Sequence, residues 1–120
     1  MTNPETTLMH KIMHALSERG CLVFRNNTGL AWQGQKIHEQ AGVVTLKNPR
    51  MIRFGLCVGS SDIIGWTRDG RFLAVEVKVG KGRQTKEQAA FIEAVRAGGG
   101  VAGVVRSVEE AIELVGEMNV

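Results

Sequence analysis

Asp62, Glu76 and Lys78 are the residues of this 120-residue chain whose types and spacing best suit chemistry. Asp62 to Thr67 and Arg71 to Val79 flank Arg68-Asp69-Gly70. Three loop residues ending in Gly fit a type I turn followed by a left-handed Gly bulge, which closes a hairpin with Thr67 opposite Arg71. Facing residues of an antiparallel pair keep a constant sum of residue numbers. That sum is 138 here, and Asp62 with Glu76 gives the same value. Their Cβ atoms are then expected ~5 Å apart. Two carboxylates so placed repel and cost stability unless a bound divalent cation offsets them. Hard oxygen ligands suit Mg²⁺, which often takes one or two carboxylates and keeps several waters. Lys78, two residues beyond Glu76, shares its face. An ammonium there can orient a metal-held water, lower its pKa and balance charge on a phosphate. Two acids and a Lys at a strand end make a phosphodiester-cleaving constellation. The plainer alternative is a surface salt bridge between Lys78 and one acid, and the opposed Asp62 weighs against it.

Gln88 follows in the same neighbourhood. Thr85-Lys86-Glu87-Gln88 has capping-box form, opening a helix to about Ala97 with Ala90, Phe91, Ile92 and Val95 inward. Gln88 falls in the series 88, 91, 92, 95 and so lies on the buried helical face. Its amide needs partners. It either completes the capping box or turns toward the acidic strand end.

These residues need elements to hold them. Thr2 and Asn3 can cap a first helix, with Pro4 in its first turn and Glu5 at the positive end of its dipole. Leu8, Met9, Ile12, Met13 and Leu16 form its apolar stripe, Gly20 stops it, and Cys21 to Arg25 reads as a strand. In the hairpin, Leu73, Val75, Val77 and Val79 point to one face. Phe72, Ala74, Glu76 and Lys78 point to the other, beside Trp66, Ile64 and Asp62. Both faces look at least partly buried, so the hairpin belongs inside the sheet. Gly98-Gly99-Gly100 ends the second helix, Val101 to Val105 is a buried strand, and Ser107 caps a last helix carrying Val108, Ala111, Ile112 and Val115. Between Arg25 and Arg53 lie Arg25, Lys36, Lys47, Arg50 and Arg53 against Glu39 alone, a basic insertion of hairpins or loops. Val43 to Leu46 and Met51 to Phe54 read as short strands separated by a turn at Asn48-Pro49.

Composition narrows the class. Apolar residues make up 43% of the chain, sufficient for a core, and no apolar run approaches the ~20 residues of a membrane span. The start lacks a signal peptide's apolar stretch. Cys21 and Cys57 supply neither a disulfide framework nor a four-thiolate zinc site, and a reduced intracellular setting is expected. Net charge is +3, but all fifteen basic residues precede residue 107, where only eight of the twelve acids lie. The last stretch holds Glu109, Glu110, Glu113 and Glu117 and no base. A basic body with an acidic final helix suits a polyanion partner.

Taken together, Gly59-Ser60-Ser61-Asp62-Ile63-Ile64-Gly65, Val75-Glu76-Val77-Lys78, Gly82-Arg83 and Gln88 resemble the PD-(D/E)xK nuclease superfamily, and within it the stand-alone VRR-NUC domain found in phage and bacteria. The resemblance covers nearly the whole chain. It departs from the superfamily in having Ser61, not Pro, before Asp62, as is usual in this subfamily. It implies an α/β fold with a single-domain restriction-endonuclease-like αβββαβ core over 1–120, a mixed sheet flanked by helices, and the basic insertion after the first strand. It implies Asp62 and Glu76 as metal ligands with the Val77 carbonyl a third, Lys78 as the catalytic lysine, Gln88 as the helix glutamine and Glu5 as the first-helix acid near the metal. Arg25-Asn26-Asn27-Thr28-Gly29 looks like the family's stretch after the first strand.

The expected function is a Mg²⁺-dependent DNA endonuclease, with Mn²⁺ able to substitute, acting as a homodimer on branched DNA such as four-way (Holliday) junctions. The cytoplasm of a bacterium or phage-infected cell is its expected setting, without a membrane partner or small-molecule cofactor. Lys47, Arg50, Arg53, Lys81 and Arg83 are the expected phosphate contacts, with solvated loop charges as the alternative for the loop pair. The competing readings are a flap- or nick-processing nuclease and a non-catalytic nucleic-acid-binding module that retains the fold. Elsewhere, His10 and His14 stand one helical turn apart and are expected to face solvent. Cys21 and Cys57 are expected in the core, and Trp32 is a weak candidate for base stacking.

Overall fold

A computed structural model of the chain describes residues 3–116. The expected cap at Thr2 and the acid Glu117 lie outside the described residues. Helix α1 spans Pro4–Glu18, and strand β1 Leu22–Arg25. Strands β2 and β3 span Gly29–Gln40 and Val43–Phe54. They are followed by β4 (Ile63–Trp66), β5 (Phe72–Val77), helix α2 (Lys86–Ala97), β6 (Val101–Val105) and α3 (Val108–Gly116). Asn3 caps α1, its side chain accepting from Glu5 N at 2.8 Å. Ser107 caps α3, accepting from Glu110 N at 3.1 Å.

Four strands form one sheet in the order β1-β4-β5-β6. β1–β4 and β4–β5 pair antiparallel, while β5–β6 pair parallel across the α2 crossover. The sheet is therefore mixed, with β4 and β5 inside it as the two-faced hairpin pattern requires. On one face, Ile63, Leu73, Val75 and Val77 pack with Met9, Ile12 and Leu16 of α1 and Ala111 and Val115 of α3. Each fully buried Val, Leu or Ile among them contributes ~1.5–3 kcal/mol. On the other face, Ala74 and Ala102 pack under Ile92 of α2, with Phe91 and Val95 beside them. Ala90, expected inward, is exposed. α2 covers β5 and β6 only, so Leu22, Phe24, Trp66 and Phe72 on the same face stay 41–50% exposed.

β2 and β3 form a separate two-stranded antiparallel ribbon. The two short strands read from the sequence are one continuous strand. Asn48-Pro49 is not a turn: the register slips there, from Gln33↔Arg50 to Gln35↔Lys47, with Asn48 at φ 52°. The chain reverses at Ala41-Gly42 instead, both at positive φ. The ribbon projects, because the radius of gyration is 17.0 Å against about 14 Å for a compact chain of this length.

Candidate active site

The β4–β5 hairpin has the register that the sequence dictates. Ile63 faces Val75 and Trp66 faces Phe72, Thr67 N donates to Arg71 O at 2.8 Å, and Gly70 takes φ 85° in the bulge. One step beyond the last pair, Asp62 comes opposite Glu76. Asp62 Oδ2 accepts from Val77 N at 2.9 Å, which fixes that carboxylate across the strand end. Glu76 is 1% exposed, and its Oε2 is buried without a hydrogen-bond partner. Lys78 Nζ lies 3.9 Å from Glu76 Oε1 with 17% of its side chain exposed, so the pair is no surface salt bridge.

The electrostatics follow from this placement. Burial, then the hydrogen-bonding approach and charge of Asp62, push Glu76 up to about 9; Lys78 opposes the shift and Glu5 adds to it. The fold therefore favours the protonated form of Glu76 when no cation is bound. A proton on Glu76 relieves the repulsion of two like charges at one strand end.

The loop before Asp62 is packed closely. A Cβ at Gly59, which has φ 83°, would meet the Glu87 backbone at 2.6 Å, so this position needs glycine to seat the loop against the start of α2. Gln88 completes the capping box: its Oε1 accepts from Thr85 N at 2.8 Å and its N–H donates to Thr85 Oγ1 at 3.1 Å. That leaves the half-buried Gln88 its amide Nε2 for any further partner. Lys81 and Arg83 ride on the loop from Lys78 to α2. Arg106, just after β6, clamps this loop by donating to Gly80 O at 3.0 Å and Gly82 O at 2.5 Å. Lys47, Arg50 and Arg53 lie on β3 in the ribbon, outside the sheet that ends at the carboxylate pair, and Arg50 Nη2 donates to Gln33 Oε1 at 2.7 Å.

Among the described residues, no group of three or more His, Cys, Asp and Glu is placed to hold a metal. Glu5 is felt by Glu76 as charge but does not make a third ligand of such a cluster. A cation at this strand end has two carboxylates and must complete its shell with backbone oxygen and water. That all-oxygen donor set suits a hard cation such as Mg²⁺. Glu76 Oε2, which no donor of the chain reaches, fits as well once the carboxyl is ionised. The other candidates lie elsewhere. His14 pairs with Glu18 at 3.5 Å on the exposed side of α1, and Cys21 is buried. Cys57, expected in the core, is exposed because it sits in the loop that leaves the ribbon.

Residues 3–109 match the model of the VRR-NUC domain. The chain belongs to the VRR-NUC family. Comparison with curated proteins gives no match. Membership supports nucleic-acid cleavage in general and DNA as the partner. In this VRR-NUC chain the Asp62–Glu76–Lys78 end of the hairpin is where carboxylates and a cation converge. Sequence reasoning missed the Arg106 clamp and the part played by Asn26 and Ser60 below. Their partners lie 24 to 35 residues away, and no local pattern announces such bonds.

Proposed function

We propose that this chain is a Mg²⁺-dependent endonuclease that hydrolyses phosphodiester bonds in branched DNA, four-way junctions above all, and works as a homodimer in the interior of a bacterium or phage-infected cell. The observation that carries the reading is the buried Glu76 carboxylate opposite Asp62, its Oε2 reached by no donor and its Oε1 3.9 Å from the Lys78 ammonium. Asp62, Glu76 and the Val77 carbonyl would hold the cation. Bound there, Mg²⁺ would supply Lewis-acid stabilisation of charge on the phosphate and a water of lowered pKa. Asp62 is held for this task by the Val77 N–H. Glu76 must surrender its proton before it can serve as a ligand. Lys78, tethered at the rim of the buried site, donates hydrogen bonds to the attacking water and to the phosphate oxygens, and its charge offsets what develops there. Gln88 and Glu5 flank the site, the first through its amide and the second through its charge. Lys47, Arg50, Arg53, Lys81 and Arg83 contact phosphates.

Two incisions across a junction need two such sites. The uncovered apolar face at Leu22, Phe24, Trp66 and Phe72 supports pairing of two copies. The test is cleavage of a labelled four-way junction, a flap and a linear duplex of matched sequence, with and without Mg²⁺. The expected result is Mg²⁺-dependent incision of the junction in preference to the other two. Preference for the flap would favour flap processing, and tight binding without incision would favour a binding module.

A further inference from the structure

The ribbon leaves the core after Asn26 and returns at Leu56, and every described residue of β2 and β3 is at least partly exposed. No buried side chain anchors it, and a two-stranded ribbon by itself is marginally stable in water. Its attitude is therefore set at its base. There the Asn26 carboxamide is used at both ends. Oδ1 accepts from Leu56 N at 3.1 Å, on the returning chain. Nδ2 donates to Ser60 Oγ at 2.7 Å and to Ser61 O at 2.9 Å, immediately before Asp62. The Asn26 N–H donates to Asp62 O itself at 2.7 Å. Ser60, 5% exposed, closes the circuit by donating from Oγ to Cys57 O at 2.7 Å. Leu56 N can only donate and Ser61 O can only accept, so the amide orientation is fixed by chemistry. Aspartate could meet the first partner but not the second, and glutamine is a methylene too long.

We propose that Asn26 is a positioning residue that locks the β2–β3 ribbon to the Asp62-bearing strand, so that one side chain sets both the ribbon's attitude and the orientation of Asp62. The proposal rests on the metal-dependent nuclease reading for its second half only. Removing the amide frees Leu56 from Ser61, lets the ribbon swing, and loosens the backbone from which Asp62 projects. A residue that orients a metal ligand typically matters 10- to 100-fold in affinity.

The experiment uses the full chain as wild type, Asn26→Asp, Asn26→Ala, Ser60→Ala and, as a control, Asn27→Ala. Mn²⁺ binding without DNA is read by electron paramagnetic resonance, and ribbon motion by ¹⁵N relaxation. Asn26→Asp is expected to weaken Mn²⁺ binding by ~10-fold or more and to drop ribbon order parameters below ~0.6. Asn27→Ala should change neither. Ser60→Ala, which keeps Asn26 and its bonds to Leu56 and Ser61, should move both in the same direction by less, and it decides the matter if the Asn26 variants do not fold. Wild-type Mn²⁺ affinity and an unmoved ribbon in these variants, or equal losses in Asn27→Ala, would overturn the proposal. A wild-type protein that binds no Mn²⁺ would instead overturn the nuclease reading, and the relaxation data would still decide whether Asn26 holds the ribbon.

Discussion

Strands β4 and β5 run 4 and 6 residues and bury Ile63, Leu73, Val75 and Val77 completely. Strands β2 and β3 run 12 residues each, yet Trp32 is 61% and Met51 48% exposed. The longer strands pair only with each other and have less stability of their own. Net stabilisation by a backbone hydrogen bond is only ~1 kcal/mol, because the unfolded chain bonds to water, whereas burial acts on each side chain in full. The sheet thus gives the Asp62–Glu76–Lys78 end a rigid footing, and the ribbon supplies reach.

The contrast can be broken in several ways. The largest effect is expected in the sheet: Lys78→Ala should lower single-turnover junction cleavage by ~10²-fold or more while junction binding in Ca²⁺ stays largely intact. An equal loss of turnover from any ribbon variant would remove the distinction between reach and chemistry. Next, Ile12→Ala, at a position with no exposure, should cost about 2–5 kcal/mol in urea unfolding.

Glu76→Gln sharpens the comparison from within the site. Glu76 stands at about 9 in the fold against an ordinary 4.5. A carboxyl with a raised folded pKa binds its proton more tightly folded than unfolded. Its stabilising contribution is complete below the lower value and is lost as pH rises through the higher one. The metal-free protein should therefore lose stability from pH 4.5 to about 9. Glu76→Gln should flatten that slope and add about 3 kcal/mol or less at pH 7. Because a ligating carboxylate must shed its proton, Mg²⁺ affinity should rise over the same interval in the wild type. Titrations at pH 6, 7 and 8 check both signs.

Smaller effects are expected in the ribbon. Neutralising Lys47, Arg50 and Arg53 together should weaken binding alike on junctions of unrelated sequence. It should also flatten the dependence of log K on log salt by ~0.9 for each DNA phosphate that the variant leaves without a cationic partner. An unchanged slope would move the DNA surface to Lys81 and Arg83. Trp32→Ala, smallest of all, should alter urea stability by no more than ~0.5 kcal/mol.

The same contrast decides what the sequence disclosed. The hairpin was legible because a three-residue turn fixes the register, and the register fixes which carboxylates meet. The caps at Asn3, Thr85 and Ser107 were legible because capping acts over two or three residues. The ribbon was misread at Asn48-Pro49, because a Pro after a positive-φ Asn has the same local chemistry in a bulge as in a turn. Only the partner strand distinguishes the two. Ala90 shows the limit of periodicity, which marks a face without saying how much of it is covered. The burial of Glu76 was not in the alternation of β5; it comes from the packing around that strand end.

The 3.1 Å bond from Leu56 N to Asn26 Oδ1 means that the two ends of the ribbon meet. The pairing of β1, β4, β5 and β6 lies wholly outside it. Whatever runs between those ends can be lengthened, trimmed or exchanged in descent without a shift in any strand of the sheet, provided the knot at its base is retained. The chain is in this sense a handle with a replaceable fitting: the segment between Asn26 and Leu56 can change its reach while the sheet keeps its register.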